Sequence, residues 1–138
     1  MNSTPTCLTK KFSCEKLARD FIESSYQKTN IKSSFRVIKK EELLQAFKVK
    51  IVEEAEEVLE ADSRADLIEE LSDLMEVIES FMKTAKINSA ELKNCRKIKK
   101  SQRGGFEKGF YLEYIEVPLD SPDFSKYSSR PHKYPVIT

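Results

Sequence analysis

The chain has 138 residues, with 24 Lys or Arg against 23 Asp or Glu and a formal net charge of +1. That length fits one domain with a modest core, and near-neutrality disfavours a nucleic-acid binder, whose electrostatic footprint is a large basic excess. Charged residues make up 34% and apolar residues 39%, too apolar for disorder and too polar for a thick core, so an all-α bundle with solvated outer faces is expected.

Residues 1–12 read as an N-terminal tail. Residues 1–8 lack a hydrophobic h-region, and no long apolar run occurs elsewhere, so neither a signal peptide nor a membrane span is expected. A domain over residues 13–117 follows. No proline separates Pro5 from Pro118 and no glycine precedes Gly104, so the stretch between has nothing to break helices. Four helices are predicted, at residues 14–27 with Ser13 as N-cap, 40–61, 64–85 with Ser63 as N-cap, and 89–100, where Asn88 and Glu91 resemble a capping box. Residues 34–38 and 110–117 alternate in part and are predicted as short strands that could pair. Residues 118–138 hold four prolines and many polar residues, and are expected to be a poorly ordered or draped tail. Cys7, Cys14 and Cys95 have unrelated spacings and form no CxxC, which argues for a reducing, cytoplasmic setting. The single histidine, His132, lies in the tail, so histidine-based catalysis and zinc sites are poor fits.

The informative stretch is residues 50–81. On a helical wheel at about 100° per residue, Glu54 has Phe47, Ile51 and Val58 on one flank and Leu43 and Ala61 on the other. Glu57 sits at the edge of that apolar face, while Glu53, Glu56 and Glu60 lie opposite. The third helix repeats the arrangement, with Glu70 among Leu67, Leu74, Phe81 and Val77 and with Asp73 at the edge. If the chain reverses near residues 62–65, Glu57 faces Glu70 and Glu54 faces Asp73, about 10–14 Å from the turn at about 1.5 Å of rise per residue. Four carboxylates would then meet at the core margin. Burying such charges uncompensated costs several kcal/mol and like charges raise one another's pKa, so a cation is expected among them. Oxygen-only ligands favour a hard divalent ion, Mg²⁺ or in its place Mn²⁺. Lys50 is the only basic side chain near the box on the second helix, and one lysine does not neutralise four acids. Against this stands the ordinary role of Glu at helical spacing, a solvated face. The metal reading draws its strength from two such pairs at matching heights.

At these residues the sequence resembles a known family. Glu53-Glu54-x-x-Glu57, followed after twelve residues by Glu70-x-x-Asp73, is similar to the EExxE…ExxD signature of the MazG-like superfamily of all-α nucleoside triphosphate pyrophosphohydrolases. Lys16-Leu17-Ala18-Arg19-Asp20 and Arg103-Gly104-Gly105-Phe106 resemble the opening and closing segments of its phosphoribosyl-ATP pyrophosphohydrolase-like branch. The likeness covers about residues 10–117, with Glu23 standing where that branch usually has proline. It implies an all-α fold assembled as a homodimer or homotetramer. It also implies Mg²⁺ held by Glu54, Glu57, Glu70 and Asp73, and hydrolysis of a nucleotide between its α- and β-phosphates. One of these carboxylates, or Glu53, would orient the attacking water.

A triphosphate also wants cations. Arg19, Lys50 and Arg103 are the candidates, Arg103 because the amides of Gly104 and Gly105 could approach phosphate. The wider run from Lys93 to Arg103 suits a helix C-terminus and its dipole. Two competing readings remain: a non-catalytic helical oligomerisation module of the same fold, and a nucleic-acid binder using residues 93–108, which the net charge disfavours. No residue names the base or sugar of a substrate.

Overall fold

The computed structural model describes residues 8–138, and the chain is helical throughout its ordered elements. Five helices occur among the described residues: α1 (Ile22–Lys28), α2 (Lys40–Glu60), α3 (Arg64–Thr84), α4 (Ser89–Arg103) and α5 (Phe124–Ser128). None is long and apolar enough to cross a membrane. Cys14 and Cys95 are free and exposed; Cys7 lies outside the described residues. The chain divides into two compact units, one ending at Arg96 and the other beginning at Lys97, so the division falls within α4.

In the first unit α2 and α3 form an antiparallel hairpin. The turn is tight because α3 begins at once: the Ser63 hydroxyl accepts from the Asp66 amide at 3.0 Å, satisfying one of the first free N–H groups of the helix. At the far end Phe47 of α2 stacks on Phe81 of α3, ring centroids 5.5 Å apart and planes 14° from parallel. These two residues are nearly equidistant from the turn, as antiparallel packing requires. Phe47, 8% exposed, is the buried hydrophobic residue of the described chain, and Glu54, 9% exposed, is its buried charged one. The hairpin is therefore a thin two-layer structure whose best-covered positions are an aromatic ring and a carboxylate.

Three expectations are corrected. The first helix does not begin at residue 14 under a Ser13 cap; it begins at Ile22. The residues before it are irregular, with a bend at Lys16 and a turn at residues 20–21, and Lys16 and Arg19 reach out to acids on α2 and α3 instead of lining a helix. No strand forms among the described residues, and residues 34–38 and 110–117 run without ladder partners. Two short segments with little to cover them lack the hydrophobic face that an isolated pair of strands needs. The residues beyond Pro118 are not featureless: they hold α5 and an edge-on contact of Tyr127 with Tyr134, centroids 4.9 Å apart.

The fourth helix starts as expected, with the Asn88 side chain accepting from the Glu91 amide at 2.9 Å and donating to its carboxylate at 3.4 Å. It runs to Arg103, slightly beyond the predicted end, and stops at Gly104. That glycine has φ +81° and its N–H donates to Lys100 C=O at 2.8 Å, a left-handed helix cap that a residue with a Cβ adopts only under strain.

Candidate metal centre

The hairpin brings together Glu54 from α2 and Glu70 and Asp73 from α3. Each offers a carboxylate oxygen, and the three oxygens lie within 4.8 Å of one another. The spacing explains the convergence. Glu70 and Asp73 are three apart and so share one helix face, and that face meets Glu54 because Glu54 and Asp73 lie at equal distances from the turn. Glu54 is buried, while Glu70 and Asp73 are half-buried.

Like charges so placed repel one another and lose hydration. The consequence shows at Glu70, where loss of hydration first, and then the carboxylates of Glu57, Asp73, Glu69 and Glu54, hold the carboxyl above the usual range. Three cations offset part of this repulsion. Lys50 Nζ lies 3.2 Å from Glu54 Oε1 and 3.0 Å from Glu53 Oε2, Lys16 Nζ lies 2.8 Å from Glu53 Oε1, and Arg19 Nη2 lies 2.8 Å from Asp73 Oδ1. Glu70 has no ion-pair partner among the described residues.

The sequence-predicted residues thus separate into groups. Glu54, Glu70 and Asp73 converge. Glu57 is exposed and outside the converging trio, though its charge is felt at Glu70. Glu53 stands apart, with both oxygens engaged by lysines. Burial would raise its pKa, but the hydrogen bonds from Lys16 and Lys50 outweigh that and hold it below the usual carboxylate range. Lys50 and Arg19 touch members of the trio. Arg103 belongs to the second unit, as the last residue of α4. Lys16 was not among the candidates. The available signal was its position three residues before Arg19 in an otherwise apolar-to-acidic segment, which allows one cation to reach α2 and the next α3.

The donor set consists of carboxylate oxygens alone, without nitrogen or sulfur, which suits a small hard divalent cation and not zinc or copper. A cation there would offset the loss of hydration, and after it the repulsion, that hold Glu70 above the usual range. No protein-family model, curated protein or solved structure matches the chain.

Proposed function

We propose that the chain is a Mg²⁺-dependent nucleoside triphosphate pyrophosphohydrolase of the MazG-like all-α bundle type, releasing a nucleoside monophosphate and pyrophosphate. The observation that carries this reading is the approach of the Glu54, Glu70 and Asp73 oxygens to within 4.8 Å, on residues that match the ExxE…ExxD pattern. These three carboxylates would hold the ion, with Glu57 one turn further along α2 as a fourth donor. Bound Mg²⁺ would supply positive charge to the phosphates and to the leaving pyrophosphate.

The chain's own cations have distinct parts in this reading. Arg19 and Lys50 neutralise the ligands before substrate arrives, and then lie beside the incoming phosphates. Lys16 fixes Glu53 and so anchors the segment that carries Arg19. The exposed apolar side chains of α3, among them Leu67, Ile68, Leu71 and Met75, are the surface that a second copy would cover in a homodimer or homotetramer.

The test is a pyrophosphate-release screen over common and damaged nucleotides with Mg²⁺ and with Mn²⁺. Release is expected for some nucleotide, and is expected to vanish in Glu70→Gln and Asp73→Asn variants of unchanged helicity. Full activity in both variants would remove the proposal.

A further inference from the structure

The formal charge of +1 conceals a local separation. Residues 89–108 contain seven Lys or Arg against two Glu. Within α4, at about 100° per residue, Lys93, Arg96, Lys97, Lys99, Lys100 and Arg103 fall inside an arc of about 160°. Glu91, the one acid of the helix, lies on the opposite side. All six cations are exposed, and only Lys100 has an ion-pair partner among the described residues, Glu107 at 3.8 Å. Cations three and four residues apart repel and destabilise a helix, so this face is at its least favourable with nothing on it.

A second feature follows the C-terminal part of α4, in the second unit, where Lys97, Lys99, Lys100 and Arg103 also lie. The Lys100–Glu107 contact ties the following segment to the end of α4. That segment presents Phe106, Phe110 and Tyr111 at 98%, 86% and 89% exposure, with Lys108 Nζ 5.6 Å from the Phe110 ring centre. Aromatic rings left in water beside a row of cations are the two elements of a single-strand binding surface: cations follow the phosphates, and rings stack on unpaired bases. An anionic membrane would call for bulky apolar residues on the other side of the helix. There α4 offers Ala90, Asn94 and Ser101 with Ile98 as its one large apolar residue.

We propose that the part of the basic face of α4 within the second unit, Lys97, Lys99, Lys100 and Arg103, together with the exposed rings that follow it, binds single-stranded nucleic acid through its backbone phosphates and its bases. The surface owes nothing to the carboxylate trio, so the test is run on the full chain in EDTA, where the metal centre cannot contribute. Fluorescence anisotropy with labelled oligo(dT) and oligo(U) reads affinity against salt. With the three unpaired cations of that face, Lys97, Lys99 and Arg103, engaged, the log–log salt slope is expected at about −2, so binding weakens about 20-fold between about 50 and about 200 mM salt. Lys97→Ala with Lys99→Ala keeps good helix formers and should reduce the slope to about −0.7. Phe106→Ala with Tyr111→Ala should weaken binding about tenfold or more at an unchanged slope. Tighter binding of oligo(U) would identify RNA as the partner, and tighter binding of oligo(dT) DNA. No binding at low salt, binding unaltered by both pairs of substitutions, or stronger association with phosphatidylserine vesicles than with either oligonucleotide would overturn the proposal.

Discussion

Replacing Asp73 by Asn separates a metal ligand from a structural ion pair. The carboxylate has two partners to lose: the cation it would share with Glu54 and Glu70, whose oxygens lie within 4.8 Å of its own, and Arg19 at 2.8 Å. The Arg19–Asp73 pair is largely solvated, with side chains 64% and 36% exposed, so its loss costs at most about 0.5 kcal/mol. The Asn variant also relieves the repulsion of Asp73 toward Glu54 and Glu70, so in metal-free buffer the melting midpoint should fall by at most about 2 °C. A ligand bound to the native state alone at 100 times its dissociation constant adds about 2.7 kcal/mol, which for a chain of this size raises the midpoint by about 10 °C. The wild type should show that rise with Mg²⁺ and the Asn variant should lose most of it. The assay is a set of far-UV circular dichroism melts over a Mg²⁺ series, with NaCl holding ionic strength constant. Equal shifts in wild type and variant would refute the reasoning, since the stabilisation would then arise elsewhere on the chain.

Further outcomes follow from the same geometry. Phe47→Ala removes the best-buried ring and its stacking on Phe81, and should cost about 3–5 kcal/mol in a denaturant titration. Glu53 is held below the usual carboxylate range, so its contribution is present above the unfolded-state value and is lost as pH falls through the lower native one. Acid titration of the metal-free protein should show that loss, and Glu53→Gln should flatten it. Glu70 has the opposite sign: its raised pKa means that the metal-free fold gains stability as pH falls through the native value, a gain that Glu70→Gln should abolish. If a second copy covers the exposed apolar side of α3, as proposed, the wild type should sediment as an oligomer and Ile68→Glu with Leu71→Glu as a monomer, and a monomeric wild type would remove that part of the proposal.

The hairpin was legible because both signals that define it are local. The apolar period of α2 and α3 fixes which sides meet, and Ser63 marks the turn, so the meeting of Glu54 with Asp73 followed by counting residues. Glu57 was harder to place, because the wheel put it at the margin of the apolar face and a margin residue faces solvent as easily as its neighbours. The segment before α1 was misread for a different reason. Residues 14–21 have acceptable helix propensity, but propensity is a weak prior against tertiary pairing, and the Lys16–Glu53 and Arg19–Asp73 contacts span 37 and 54 residues of sequence. The same contacts add Lys16 and Arg19 to Lys50, the one basic side chain near the acids on the α2 stripe, as counter-charges. The two predicted strands failed because alternation alone records a half-buried preference, and neither segment found a surface to be buried against. Gly104, read from the sequence as a residue whose amide could approach phosphate, has its conformation accounted for by the cap it forms.

The proposed function requires that acids from two neighbouring helices grip a hard cation. It is tested most directly by titrating the protein with Mn²⁺ while the free ion is followed by electron paramagnetic resonance. A site is expected in the wild type that is lost in Glu54→Gln, Glu70→Gln and Asp73→Asn and retained in Glu56→Gln and Glu60→Gln, which alter the solvated side of α2. Undiminished binding in the first three variants, or equal loss in the last two, would contradict it.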